Sequence, residues 1–291
     1  MTITSGKVQV VTPATSANLG PGFDSFGLAL NLYTRIEVEV VPEGVQVVID
    51  GEGAEILPRD ETNLLSETIL KTLDIIGVEV SGLKISAHNS IPQGSGLGSS
   101  SSAIVGAIAA ARALAGETGA HFTDEDAYQL AVDLEGHPDN VAAAMFGGFT
   151  IAWIEGAAAQ VARFDAEVPV TVFIPPTGVP TTVARGYLPE SIAHKDAAEN
   201  SARSGLLALA ITERPELLFS ATEDRLHQSF RAEAMPESHK LVRKMRLEKI
   251  PAVISGAGPT VLAFAHDVSE FCPTGWVNHE LVVSPNGVVV E

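Results

Sequence analysis

The chain has 291 residues, 45% of them hydrophobic and 19% charged, so it can bury a substantial core as one large domain or two smaller ones. A formal net charge of −18 disfavours nucleic acid and anionic membrane surfaces as partners. One cysteine, Cys272, excludes an internal disulfide and a cysteine metal cluster. The chain shows neither a signal peptide nor an apolar run long enough to cross a bilayer, so we expect a cytoplasmic protein.

The first part of the chain predicts sheet interleaved with helices. Alternating and β-branched residues predict strands over 7–11, 35–41, 45–50 and 83–88. Apolar residues at helical spacing predict a helix over 65–76, and Gly77 can supply the left-handed residue that ends it. The Ala-rich segment 103–115 predicts another helix, which stops at Gly116.

The middle of the chain carries two signals for the start of a helix. Thr123 and Asp126 resemble a capping box that opens a helix through Leu134. Pro138 suits the first turn of a further helix, which closes at Gly147. Both signals predict a helical stretch directly after the Ala-rich helix.

A domain boundary is predicted near 156–167, between strands over 149–155 and 168–176. It divides the chain into domains 1–160 and 161–291. Helical patterns follow over 182–188, 199–211, 215–230 and 238–247, and two apolar runs then flank a glycine turn within 251–265. Strands and helices are mixed in both parts, which predicts an α+β fold.

The stretch PQGSGLGSSSSA (92–103) lies between a predicted strand and a predicted helix, a context that disfavours a flexible linker. Glycines let the backbone approach a ligand closely, and free amides at a helix N-terminus attract phosphate. No GK[ST] follows, and Gly98 comes two residues after Gly96, which excludes the Walker A and Rossmann patterns. The stretch predicts an anion site, with a structural turn as the alternative.

Two further glycine-bearing stretches accompany this loop, PATSANLGPGFDSFGLAL (13–30) and SGAGPTVLAF (255–264). Each alone is equally compatible with an ordinary turn. In this order the three stretches resemble the three motifs of the GHMP small-molecule kinases. The closest resemblance is to the branch that phosphorylates the hydroxyl group of L-homoserine in threonine synthesis. That closer match rests on ANLGPGFD (17–24), EGHPDNVAAAMFGG (135–148), TTVARGYLP (181–189) and HQSFR (227–231).

The resemblance implies an N-terminal nucleotide-binding domain, a C-terminal ferredoxin-like α/β sandwich and an active site between them. It also implies ATP and Mg²⁺ as cofactors, and often a homodimer. The loop residues implied to hold the ATP phosphates are Pro92, Gln93, Gly94, Ser95, Gly96, Leu97, Gly98, Ser99, Ser100, Ser101 and Ser102.

For the metal, the resemblance implies Ser100 as a Mg²⁺ ligand and Glu135 as its carboxylate partner, which suits the preference of Mg²⁺ for hard oxygen ligands. Taken alone, Glu135 is compatible with a solvated acid at a helix end. Asn63 resembles the residue on the nucleoside side, and its alternative role is a helix cap.

For the substrate, L-homoserine is a zwitterion, so its site needs a cation for the carboxylate and acceptors for the ammonium group. The resemblance implies Arg185 and Arg231 as cations that bind the carboxylate or assist the departing phosphate. Asp24 and Asn18 suit the ammonium end, with a cap or Asx turn as the alternative, especially for Asn18. The residues implied to position the reacting hydroxyl are Asn140 and Thr181.

An amide such as that of Asn140 cannot act as a general base at neutral pH. We therefore expect catalysis by alignment and charge stabilisation, with the hydroxyl proton passing to a phosphate oxygen. Asp24 and His137 are the alternative bases. The rival functions are a GHMP kinase for another alcohol, such as mevalonate or shikimate, and a non-catalytic ATP-binding protein.

Overall fold

The computed structural model describes residues 2–291 and contains two main β-sheets with helices packed on them. The strands are β1 Thr2–Ile3, β2 Lys7–Ala17, β3 Phe26–Val40, β4 Gly44–Gly51, β5 Glu79–Val80, β6 Gly82–Asn89, β7 Phe149–Glu155, β8 Ala158–Phe164, β9 Val170–Ile174, β10 Ala252–Ile254, β11 Val261–Ala263, β12 Val277–Leu281 and β13 Val289–Val290.

The helices come mostly in runs between groups of strands, which is typical of an α+β fold. The α-helices are α1 Leu64–Ile76, α2 Ser99–Leu114, α3 Gly116–Gly119, α4 Asp124–Glu135, α5 Pro138–Phe146, α6 Thr181–Arg185, α7 His194–Thr212, α8 Leu218–Ala221 and α9 Pro236–Leu247. Short 3₁₀ turns cover Pro215–Leu217, Phe230–Glu233 and Ser269–Phe271.

The larger sheet runs in the order β13-β2-β3-β6-β4, and β7 extends it by pairing with the start of β3 and with β8. Its pairs are antiparallel except for β4 with β6, which are parallel. The smaller sheet, β10-β11-β9-β12, is antiparallel throughout. A short parallel pair joins β1 and β5.

One apolar cluster joins the two sheets. Leu28 and Phe149 of the larger sheet lie in the same buried cluster as Val170 and Val172 of the smaller sheet and Leu207 of α7. Burial of apolar area on this scale is the main source of folding free energy. The same cluster contains Leu19, Leu97 and Leu262, so it also joins the three glycine-bearing stretches.

Several predicted helix ends are confirmed. Gly77 ends α1 in the left-handed conformation, with φ of 79°. Thr123 and Asp126 form the reciprocal capping box that opens α4, and Pro138 lies in the first turn of α5. Each signal is local in sequence, so the chain can form it without help from distant residues.

Two predicted helices differ from the structure in their bounds, and the predicted break at 156–167 holds a strand. The break at 156–167 contains β8, which forms a hairpin with β7. The helix predicted over 103–115 begins at Ser99, because Gly98 takes a left-handed conformation and starts the turn there. The helix predicted over 215–230 is interrupted because the Asp224 carboxylate accepts backbone amides of the turn that follows it.

The end of the chain returns to the larger sheet, where β13 pairs with β2. Residues of the second predicted domain thus complete the sheet of the first. The division into 1–160 and 161–291 stays a prediction, whereas the α+β class is confirmed. None of the helices in residues 2–291 has the length and apolar character needed to cross a bilayer.

Ile69 and Ile75 provide a matched pair on α1, with exposed fractions of 0% and 50%. We expect Ile69→Ala to lower the free energy of unfolding by about 2–5 kcal/mol, since it leaves a cavity beneath the sheet. Ile75→Ala should cost less than about 1 kcal/mol. Urea unfolding measures both, and equal losses would contradict this packing of α1.

Candidate active site

The loop before α2 has its backbone carbonyls turned toward the protein. The carbonyl of Leu97 accepts the amide of Thr15 at 3.0 Å, and the carbonyl of Ser95 accepts the amide of Thr260 at 3.0 Å. The carbonyl of Gly94 accepts the amide of Val179 at 3.0 Å. These bonds fix the loop to three different segments of the chain.

The amides of the same loop have no partner in the protein. Among residues 2–291, no backbone or side-chain acceptor takes an amide hydrogen from Gly94 through Ser101, a run that ends in the first turn of α2. Unpaired amides at the start of a helix carry partial positive charge, and the helix dipole adds to it. The arrangement is a site for an anion such as phosphate.

The loop glycines are required by backbone shape and by close contacts. Gly94, Gly96 and Gly98 have φ of 61°, 86° and 68°, in the left-handed region. A Cβ at Gly96 would lie 2.3 Å from the carbonyl oxygen of Ser255, and one at Gly98 would lie 1.9 Å from Oγ1 of Thr15. No larger residue fits these two positions without moving the loop.

The third glycine-bearing stretch (255–264) forms hydrogen bonds with the loop before α2 and with the first glycine-bearing stretch. The Ser255 hydroxyl donates to the carbonyl of Gly96 at 2.7 Å, and the amide of Gly256 donates to the carbonyl of Ala17 at 3.0 Å. The Asn18 side chain donates to the carbonyl of Gly256 at 2.8 Å. The three motifs, distant in sequence, therefore meet at one place.

Two serines at the start of α2 share one carboxylate. Ser100 Oγ and Ser101 Oγ donate to the two oxygens of Glu135 at 2.8 Å each. In the described part of the chain no cluster of three or more His, Cys, Asp and Glu side chains could hold a metal alone. One carboxylate beside hydroxyls and a phosphate site nevertheless fits Mg²⁺, which is commonly held by one or two carboxylates with substrate phosphates and water.

An apolar cavity of about 270 Å³ opens beside the loop. It is lined by Ile49, Leu57 and Leu65 and reaches Gln93 and Ser100 of the loop. Mostly apolar walls beside an anion site suit a flat aromatic group joined to phosphates.

Asn63 lies at the wall of the apolar cavity and caps α1. Its Oδ1 accepts the amide of Leu65 at 2.9 Å, and its Nδ2 donates to the carbonyl of Pro58 at 2.7 Å. The cap predicted as its alternative role is therefore present, and Asn63 lines the cavity as well.

A second cavity, of about 140 Å³, lies on the other side of the loop and is mainly polar. Most of the residues predicted to bind substrate line it together: Asn18, Asp24, Asn140, Thr181, Arg185 and Arg231. Arg185 donates twice to the carboxylate of Asp24, at 2.6 and 3.1 Å. The cavity thus presents a cation and an anion side by side.

Arg231 is a buried cation without a carboxylate in direct contact. Its exposed fraction is 1%, and no Asp or Glu of residues 2–291 forms a salt bridge with it. Its Nε, like that of Arg185, is buried without a hydrogen-bond partner. Because an unpaired buried charge is costly, these donors are the natural place for a ligand anion.

Asn140 and Asn18 are held by the protein itself. Asn140 Oδ1 accepts the hydroxyl of Thr15 at 2.7 Å, and Asn18 Oδ1 accepts the amide of Asp24 at 2.9 Å. This second bond spans six residues and no helix begins at Asn18, so it is neither the Asx turn nor the cap predicted as the alternative for Asn18. Thr181 is exposed at the start of α6.

Sequence reasoning missed Asp139, which lines the polar cavity with an exposed fraction of 3%. Burial, with Asp24 and Glu135 nearby, raises its pKa to about 7, although the amide of Asn140 donates to it at 2.8 Å. Only the segment EGHPDN, where it stands beside Asn140, could have drawn attention to it. A carboxyl group that titrates near neutral pH is suited to proton transfer.

His137, the alternative base of the sequence analysis, also lines the polar cavity. Burial, together with the positive charge of Arg185, lowers its pKa below the ordinary value of 6.5. The imidazole is therefore neutral at physiological pH.

The fold and the amide-lined loop define a GHMP kinase, and the family description "GHMP kinases N terminal domain" matches residues 63–148. Homoserine kinase of Streptomyces avermitilis is 50% identical to this chain over 98% of the chain and 96% of that protein. The solved structure of homoserine kinase from Cytophaga hutchinsonii superposes with a TM-score of 0.83 at 26% identity, covering 98% of this chain and 97% of the other.

The chain belongs to the homoserine kinase family, which confirms the resemblance in the sequence. The mevalonate kinase of L. major, solved in complex with R-mevalonate, has a TM-score of 0.73 at 16% identity, and the match covers 98% of each chain. That likeness concerns the fold alone. Membership in a kinase family implies the use of ATP.

Asp139 should make stability depend on pH in the ligand-free protein. Its pKa is about 7 when folded and near the ordinary 3.8 when unfolded, so the unfolded chain loses this proton first as pH rises. The free energy of unfolding should fall between about pH 4 and pH 7, by up to about 1.4 kcal/mol per pH unit.

Asp139→Asn removes that titration. Relative to wild type, the variant should gain about 2 kcal/mol in free energy of unfolding between pH 5 and pH 7.5, measured by urea unfolding without nucleotide or metal. Asp133→Asn, at an exposed aspartate of α4, is the matched control. A difference between Asp139→Asn and wild type that does not change with pH would contradict the buried state of this carboxyl group.

Proposed function

We propose that the chain transfers the γ-phosphoryl group of ATP to the hydroxyl of L-homoserine, giving O-phospho-L-homoserine in threonine synthesis. One observation carries the proposal. Six loop residues with free amides line the same cavity as Asp24, Arg185 and the unpaired Arg231, namely Gly94, Ser95, Gly96, Gly98, Ser99 and Ser100. A phosphate site and a site for both charges of an amino acid thus share one space.

In this proposal the adenosine occupies the apolar cavity beside Asn63, and the loop amides bind the phosphates. Ser100 and Glu135 hold Mg²⁺, which would neutralise charge on the phosphates when bound. The hydrogen bonds from both serines to Glu135 place these oxygens together in advance. Backbone amides, a helix dipole and one metal ion suffice for a triphosphate in an acidic protein.

In this proposal Asp24 binds the ammonium group of the amino acid, and Arg185 binds its carboxylate. The two side chains form an ion pair with each other at 2.6 Å, so a zwitterion can exchange this pair for two equivalent ones. Arg231 remains free to bind the transferring phosphoryl group or the carboxylate. Asn140 and Thr181 position the hydroxyl, and α6 supplies both Thr181 and Arg185.

The proton of the hydroxyl has two routes. Asn140 cannot accept it, so alignment with transfer to a phosphate oxygen stays our hypothesis. Asp139 adds a route that the sequence analysis did not consider, because its pKa of about 7 lies in the useful range for a base. A cytoplasmic location and a homodimer remain predictions from the sequence.

The first experiment is an ADP-release assay with ATP and Mg²⁺ over L-homoserine, mevalonate, shikimate and L-serine. We expect release with L-homoserine that exceeds release with any other acceptor by at least about a hundredfold, as a site built for both charges of one amino acid should give. ADP release with mevalonate or shikimate, and not with L-homoserine, would contradict the proposed substrate. Nucleotide binding without release for any acceptor would favour the non-catalytic ATP-binding protein.

Asp24→Asn tests the ammonium site. The variant keeps a polar side chain of equal size but loses the charge, so the KM for L-homoserine should rise by about tenfold or more and the KM for ATP by much less. Asp50→Asn, at the exposed end of β4, is the matched control. Loss of turnover with unchanged homoserine affinity would instead make Asp24 a base.

A further inference from the structure

The segment between α8 and the 3₁₀ turn at Phe230–Glu233 buries a histidine with no role so far. His227 has an exposed fraction of 0% and lies four residues before Arg231. Its Nε2 is 2.8 Å from the carbonyl oxygen of Gly20, and its Nδ1 is 3.2 Å from Nη1 of Arg231. A buried imidazole between these two groups constrains both.

The two contacts define the protonation of the ring. A carbonyl oxygen can only accept, so Nε2 carries the hydrogen toward Gly20. The Arg231 guanidinium can only donate, so Nδ1 offers its lone pair to it. The ring is therefore neutral, and burial and the charge of Arg231 both lower its pKa, against the effect of Asp224 at 3.8 Å.

The position of His227 is fixed from several sides. Asp224 accepts the amides of Leu226, His227 and Gln228 at 2.7 to 3.1 Å, which shapes the turn that carries the ring. Phe23 stacks on the imidazole, with ring centroids 5.1 Å apart and an angle of 24°. The Arg231 guanidinium lies over the same Phe23 ring, 5.3 Å from its centroid.

We propose that His227 is a positioning residue, which holds the Arg231 guanidinium toward the polar cavity by accepting a hydrogen bond from it without neutralising its charge. A carboxylate in this place would fix Arg231 equally well but would compensate its charge and weaken its attraction for a ligand anion. A neutral acceptor leaves the full charge available. The consequence for turnover rests on the proposed function.

Two substitutions separate the two hydrogen bonds of the ring. His227→Asn can place an oxygen near Nδ1 and retain the acceptor for Arg231, whereas His227→Gln reaches the Nε2 position and retains the donor to Gly20. We expect His227→Gln to lower kcat/KM for L-homoserine by about tenfold or more, and His227→Asn to recover most of that loss. His121→Gln, at an exposed histidine, is the control.

A double-mutant cycle distinguishes positioning from a structural role. If His227 acts through Arg231, His227→Gln should add less than about twofold to the loss caused by Arg231→Ala, measured as phosphorylated product from labelled ATP. Three results would overturn the proposal. His227→Gln could lower kcat/KM equally with and without Arg231→Ala, or neither His227 variant could lower it. The losses of His227→Asn and His227→Gln could also simply follow their melting temperatures.

The state of the ring can be measured without any acceptor substrate. Long-range ¹H–¹⁵N spectra of the wild-type protein at pH 7.5 should show His227 neutral with its hydrogen on Nε2, and a cationic ring or the opposite tautomer would overturn the proposal. If wild type fails to phosphorylate L-homoserine while His227 shows the expected tautomer, the proposed function fails and the hydrogen bond to Arg231 stands.

Discussion

The rest of the site depends on how the peptide groups are oriented in the loop before α2. From Gly94 to Leu97 the carbonyls are bonded to β2, to the turn before β11 and to the segment before α6, and from Gly94 to Ser101 the amides are left free. A peptide group cannot turn its amide outward without turning its carbonyl inward, so the anion site requires these acceptors to be satisfied behind it. The first and third motifs supply that support, and left-handed glycines allow the turn.

The chain is strongly acidic, with a formal charge of −18, yet its candidate site attracts anions. Net charge acts at long range and is screened within about 10 Å at ordinary salt concentration. In the cavity the nearest groups determine the electrostatic potential. These are the free amides, the start of α2 and the buried Arg231, which forms no salt bridge with a carboxylate of the described chain. A neutral histidine at its side keeps that charge uncompensated.

Local signals in the sequence predicted local structure well. The capping box at Thr123, the helix end at Gly77 and the proline start of α5 depend on neighbours within four residues. Features that depend on residues distant in sequence were harder to predict from local patterns. β8 was missed because its place is decided by pairing with β7, and the turn at Asp224 because a side chain replaces helical hydrogen bonds there.

The same difference holds for the candidate site. The predicted phosphate loop, Ser100, Glu135 and the substrate-side residues line connected cavities, since their motifs carry them in recognisable order. The pairing of Arg185 with Asp24, 161 positions apart in sequence, and the burial of Asp139 follow only from tertiary packing. Family membership identified which residues to expect, and the geometry assigned their partners.

The central claim is that the loop amides hold a polyphosphate. A crystal structure with a non-hydrolysable ATP analogue and Mg²⁺ tests it most directly. Phosphate oxygens should lie within hydrogen-bond distance of several amides between Gly94 and Ser101, with the metal beside Ser100 and Glu135. A nucleotide bound elsewhere, with these amides facing only solvent, would contradict the claim.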